Sequence, residues 1–231
     1  MKIFSKIAAF AVAAFVMVSC AQAQQTETRT PGHFTKVHSG GSWEVILTEG
    51  NTEEIRIEAK GVELSKVKTE IDGDVLKLGL VNGNYRNVDL TFYVTYTSLE
   101  GVRCSGSGKM EVESDVIAED FYIGLSGSGD IYMKDLRADD LEASISGSAK
   151  IKIQSGSIGD AQIKQSGSGD FVADDLSIED LEVSKSGSGD TNVGDLGMIS
   201  VRSSGSGDIV YSGSPRMGDI KVSGSSSIRK R

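Results

Sequence analysis

A carboxylate or an amine recurs at one fixed place in this chain. Six Ser-Gly-Ser-Gly or Ser-Gly-Ser-Ala tetrapeptides are followed in turn by Lys109, Asp130, Lys150, Asp170, Asp190 and Asp208. Acidic groups in such a series admit three chemistries. Clustered, their oxygens could hold a hard cation. Paired at a set distance in unlike environments, they could do acid–base work on a glycosidic bond. Turned back on the chain, they could accept backbone N–H groups at a bend. The first four positions alternate Lys and Asp, and each exposed pair of that kind contributes about 0–1 kcal/mol. Asp170, Asp190 and Asp208 are like charges in a row, which at about 4.8 Å repel by roughly 1 kcal/mol in water. They are where calcium would bind, if the chain bound any. The run SGSGD shares only part of the calcium nonapeptide GGxGxD, and its period is more than twice as long. Turn aspartates bonded to backbone are the preferred reading, and neither a metal nor a cofactor is expected.

Catalysis finds less support. Polysaccharide lyases and hydrolases on stacked β-folds use carboxylates beside a basic residue, in a cleft walled by long loops. Here the carboxylates recur at every repeat, which marks them as architectural, and the short repeats leave no room for such loops. Only Arg103, Arg137, Arg202 and Arg216 could assist them. Cys104 invites a nucleophile reading, but His33 and His38 lie near the N-terminus and Cys104 ends an apolar strand. A core thiol is expected instead. A non-enzymatic binding role would need outward aromatics for stacking on sugars, and strand parity offers Tyr122 and Tyr132 as binding-face candidates.

The elements that position these groups follow from the repeat. Ser-Gly-Ser units begin at Ser105, Ser126, Ser146, Ser166, Ser186, Ser204 and Ser223, so the rungs are 18 to 21 residues long. Aligned on that register, apolar residues fall into columns two residues apart. Met110, Ile131, Ile151, Phe171, Thr191 and Ile209 form one, followed two residues on by Val112, Met133, Ile153, Ala173, Val193 and Tyr211. In a second strand Phe121, Leu141, Ala161, Leu181 and Ile199 are followed two residues on by Ile123, Ala143, Ile163, Val183 and Val201, with Ile220 in the last rung. This is the period of strands with one buried face. Between them lie corner columns: Asp115, Asp135, Ser155, Asp175, Asp195 and Ser212, then Asp120, Asp140, Asp160 and Asp180, followed by Met198 and Met217. With the Ser-Gly turn there are three corners per rung. A rung this short buries its apolar face only against its neighbours. The reading is an all-β fold, a right-handed parallel β-helix: a three-sided β-solenoid with rungs of about 20 residues.

The N-terminal third is less regular. Alternating segments at 43–47, 54–58, 67–71 and 75–78, a turn at Asp72-Gly73, and apolar residues from Val88 to Tyr96 predict strands that cap the solenoid and carry its first rungs. The domain reading is a secretory signal over 1–23, a polar tether over 24–33, and one solenoid domain over 34–231. Within that domain the irregular rungs occupy 34–104 and the regular ones 105–231. Lys2 and Lys6 precede a twelve-residue apolar run, Ile7 to Val18, too short to span a bilayer. Cleavage after Ala21-Gln22-Ala23 competes with a lipobox, Met17-Val18-Ser19-Cys20, in which Cys20 is the lipidation candidate. Either way the chain is exported, to the periplasm, outer membrane or cell surface.

Charge narrows the partners. Without the first 23 residues, 22 basic residues face 33 acidic ones, a net charge of −11. That balance excludes nucleic acid, which needs a basic surface. It leaves membrane contact to an N-terminal lipid. The basic end, Arg229 to Arg231, reads as a polar cap on the last, incomplete rung.

The opening FTKVHSGGSWEVILTEG from Phe34, the segment Asp72-Gly-Asp-Val-Leu-Lys-Leu78 and the stacked Ser-Gly-Ser-Gly turns together resemble the putative auto-transporter adhesin head domain (GIN-type) family of exported Bacteroidetes proteins. The resemblance covers about residues 30 to 231. It implies a right-handed β-helix, a cell-envelope location and an adhesive role toward a glycan or protein, and it brings no catalytic residues. A periplasmic scaffold without an external ligand is the alternative, with a polysaccharide-active enzyme behind it.

Overall fold

Repetition of one turn sets the architecture. In the computed structural model, which describes residues 24–231, each Ser-Gly turn stacks on the one before it. The leader and Cys20 lie outside the described residues. Five long strands carry most of the stack: β9 (Lys109–Gly127), β10 (Asp130–Gly147), β11 (Lys150–Gly167), β14 (Thr191–Gly205) and β15 (Ile209–Gly224). Between β11 and β14 the rung is split into β12 (Asp170–Ala173) and β13 (Leu176–Gly187). All of these pair in parallel, and the chain forms a β-solenoid of about six turns.

The register is the one that the serines predict. Ser126 pairs with Ser146, Ser146 with Ser166, Ser166 with Ser186, and Ser204 with Ser223. Burial within one rung shows the sides. Along β10 the inward residues are Ile131 and Met133, then Leu136 and Ala138, then Leu141, Ala143 and Ile145. Steps of two become steps of three between 133 and 136 and between 138 and 141. Each slip turns the chain while keeping apolar groups inside, so a rung has three faces, numbered here in that order.

The Ser-Gly turn closes the rung through its backbone. The second serine of each turn donates its N–H to the glycine carbonyl one rung below, as Ser128 does to Gly106 and Ser168 to Gly147, both at 2.8 Å. Gly167 has φ +106°, and a Cβ there would stand 2.6 Å from the Gly147 oxygen. Only glycine allows both the backbone angle and the approach.

Before β9 the rungs are interrupted. Strands β2 (Lys36–Gly41) and β3 (Glu44–Glu49) form an early rung that stacks directly under β8 (Gly101–Gly106) and β9, with Gly40-Gly41 in the turn position. The residues between fold into β4 (Glu54–Lys60), the hairpin of β5 (Val67–Asp72) and β6 (Val75–Leu80), and β7 (Asp89–Tyr96). These close the N-terminal end of the core over Phe34 and Phe92, with Trp43 edge-on to Phe92 at 6.2 Å. The hairpin's central pair is Gly73-Asp74, one residue later than the expected turn.

Two expectations need correction. The segment predicted as a polar tether contains a strand, β1 (Gln25–Arg29), antiparallel to β4. An edge strand needs no apolar face, and Arg29 ties it down by donating to the carbonyls of Val67 (2.7 Å) and Leu64 (2.9 Å). In the last rung Met198 pairs with Arg216, while Met217 pairs with Ile199. Register shifts along β15 displace the column by one residue. At this end β16 (Ile228–Lys230) covers only Ile209 to Tyr211, leaving Met217, Ile220 and Val222 37–48% exposed.

Candidate binding face

The aspartates after the turns use their oxygens on the chain itself. Asp130, Asp170, Asp190 and Asp208 each accept the backbone N–H of the residue one rung above, at 2.9 to 3.2 Å. The Ser227 hydroxyl, donating at 2.7 Å, and Arg229 beside it hold the Asp208 carboxyl below the usual carboxylate range. Among the described residues no group of three or more His, Cys, Asp or Glu stands where it could hold a metal ion. Cys104 is 1% exposed and burial pushes its thiol up, away from the reactive thiolate.

The two tyrosines point outward, as parity requires, but onto different faces. Tyr132 is on the first face, between Glu111 and Lys152, with the Lys109 ammonium 5.2 Å from its ring centre. It borders a groove shared with Lys134 and Gln154. Tyr122 is on the third face, between Gly101 and Glu142. Its ring folds over Gly124, where a Cβ would meet the ring's Cε1 and its hydroxyl oxygen at 2.8 Å and Arg103 Cγ at 3.1 Å. Tyr122 and Arg103 therefore share one patch, and the absence of a side chain at Gly124 makes room for it.

Around Tyr122 the third face is ordered in columns. On one side runs a groove of about 1080 Å³ along the corner of Asp120, Asp140, Asp160 and Asp180. On the other side lies the column of Gly124, Ser144, Lys164, Ser184, Arg202 and Lys221. Beyond it the first serines of the turns form a ladder of hydroxyls from Ser105 to Ser223. His38 joins this face from β2, its Nε2 3.1 Å from Ser105 Oγ. Burial first, then Arg103 and Lys77, push the imidazole below its usual value.

Beneath the ladder the interior turns polar. Gln165 donates to the carbonyls of Gly169 (3.0 Å) and Asp190 (3.1 Å), and Lys185, 4% exposed, donates to that of Asp208 (3.2 Å). These groups satisfy turn carbonyls that point inward.

Of the expected site residues, Tyr122 stands in a composite surface; Asp170, Asp190 and Asp208 are turn residues. The mixed column beside Tyr122 escaped the sequence reading because no one residue type repeats along it. It is visible as the position two residues before each first turn serine.

The chain matches, over residues 33–215, the family described as putative auto-transporter adhesin, head GIN domain. Its fold is shared by crystal structures of two proteins called putative adhesins. One, from Bacteroides fragilis, has TM-score 0.81 and 20% identity, covering 91% of this chain and 98% of that one. The other, from Parabacteroides merdae, has TM-score 0.72 and 18% identity, covering 90% and 96%. A protein from Parabacteroides distasonis called a putative lipid binding protein has TM-score 0.69 and 19% identity, covering 90% and 96%. No match is found among curated proteins.

Proposed function

Because the chain belongs to the putative auto-transporter adhesin, head GIN domain family, we propose that it is an exported, non-enzymatic binding module of the cell envelope. It presents a flat face of its β-solenoid to a glycan or protein. The observation that carries this is the third face itself: Tyr122, Arg103 and the serine ladder form a continuous outward surface on a rigid stack. The repeated carboxylates favour the same reading, since those after the turns are engaged by backbone N–H groups and not paired for acid–base work. A lipid on Cys20, or cleavage after Ala23, would set whether the module is tethered or free.

Protease shaving of intact cells tests the location, with a periplasmic protein as control. Loss of the protein while the control survives is the expected result. Protection until the outer membrane is opened would overturn the adhesive role and leave a periplasmic scaffold.

A further inference from the structure

We propose that the third face binds an acidic polysaccharide laid along the solenoid axis, an inference that rests on the binding-module reading above. One outward column runs unbroken in register through the early rung and the regular ones. Its cationic members are Lys77, Arg103, Lys164, Arg202 and Lys221, with the imidazole of His38 between the first two. Gly124, Ser144 and Ser184 fill the rungs between them. No Asp or Glu occurs at any of these positions. Lys and Arg make up 24 of the 231 residues, yet they occupy more than half of this column. A cationic line on a chain of net charge −9 is a local feature, not a reflection of composition.

The neighbours on either side decide the ligand. Toward the turn lies the hydroxyl ladder, which can donate to or accept from sugar hydroxyls at each rung. Toward the corner lies the column of Tyr122, Glu142, Gln162, Glu182 and Ser200, and beyond it the line of Asp120, Asp140, Asp160 and Asp180. A polyanion is held off by that corner and drawn over the cations and serines. Tyr122 lies between the two and offers part of its ring to a sugar face.

Arg103 is exposed and, among the described residues, makes no hydrogen bond or ion pair. The other cations carry light engagements. Lys77 pairs with Asp72, Lys164 meets Glu142 at 2.9 Å, Arg202 meets Glu182 at 2.7 Å and Asp219 at 3.3 Å, and Lys221 meets Asp219 at 2.9 Å. Exposed pairs of this kind contribute about 0–1 kcal/mol, so a ligand carboxylate replaces them at little cost. Spacing then separates sugar from nucleic acid. From Lys77 through Arg103, Lys164 and Arg202 to Lys221 the intervals are two, three, two and one rungs, a mean of two, which is about 10 Å. One charge per two rungs matches an extended β-linked chain with one uronate per disaccharide. A nucleic acid carries a phosphate on every residue, and its denser charge would meet the acidic corner as well.

Affinity electrophoresis of the purified protein through gels containing hyaluronan, a β-linked chain with one glucuronate per disaccharide, or neutral dextran tests this. Hyaluronan should retard the protein and dextran should not, with retardation falling as salt is raised. The pair Arg103→Gln with Lys164→Gln should weaken hyaluronan binding at least tenfold, and Tyr122→Ala should weaken it further. The pair Lys134→Gln with Lys152→Gln, on the first face, removes the same charge and should leave binding unchanged. Circular dichroism melts verify that each variant is folded. Equal loss in the two paired variants, or no retardation by hyaluronan, overturns the inference. If the protein then still binds neutral glycans or intact cells, only the ligand class has failed. If it binds neither, the binding-module reading fails with it.

Discussion

Gly167 and Gly73 both adopt positive φ, but their surroundings differ. At Gly167 a Cβ would press on the Gly147 carbonyl, whereas nothing stands within 4 Å of one at Gly73. Gly167→Ala should therefore lower unfolding stability by about 3 kcal/mol, and Gly73→Ala by only about 1 kcal/mol, in urea titrations. Lys185 makes a second test. Burial pushes its ammonium down from the ordinary value, against the pull of Asp190 and Asp208. Between that depressed value and the ordinary 10.5, the unfolded chain binds more protons, so stability rises with pH across the window. Below the window the full cost of the buried charge is present. Lys185→Gln keeps a donor, as Gln165 does one rung below, and removes the charge. It should stabilise the protein at pH 7 by about 1 kcal/mol and flatten the alkaline rise in thermal melts. For the aspartates after the turns, millimolar calcium should leave the melting temperature unchanged. A rise of several degrees, abolished by Asp190→Asn, would reassign that column to a cation.

The worth of an apolar residue in a rung depends on having a rung above it. Ile163 and Ile220 belong to the same inward column, but Ile163 is fully buried and Ile220 is 37% exposed at the open end. Ile163→Ala should cost about 2–5 kcal/mol, and Ile220→Ala less than about 1 kcal/mol, by denaturant unfolding. The columns were legible because one turn, Ser-Gly-Ser, recurs with its neighbours in step. What was not legible lacked that marker. The early rung carries Gly40-Gly41 in place of the serine turn, and fifty-odd residues of capping strands separate it from the rung that it supports. Strand β1 was hidden because an edge strand can be wholly polar. Parity put Tyr122 and Tyr132 outside correctly, but a corner advances the chain by an odd step, so parity cannot say which face an outward residue shares. The cationic column depends on a shared charge, spread over Lys and Arg, and on register across the break before β8.

At the scale of the whole molecule the two ends of the core are unlike. The N-terminal end is closed by β4, β5, β6 and β7 over Phe34 and Phe92, while the other leaves Met217, Ile220 and Val222 partly open. Opening should therefore begin in β15. In native-state hydrogen exchange, amides at 216–223 should exchange at least a hundredfold faster than those at 141–146, a gap of about 3 kcal/mol. Uniform protection along the stack would mean that the rungs unfold as one unit.

The backbone bonds of the serine turns have a consequence for how such a chain can change. Ser128 bonds Gly106, Ser148 bonds Gly127 and Ser168 bonds Gly147, always glycine to serine and always one rung down. Because the joint is made of main chain and is the same at each level, it does not depend on which rung lies beneath. A duplication or loss of one whole repeat leaves a matching joint on both sides. It moves the ends apart or together by about 4.8 Å and leaves the closed end and the open end as they were. Length, and with it the reach of any surface on the rod, is thus a heritable quantity that changes in unit steps.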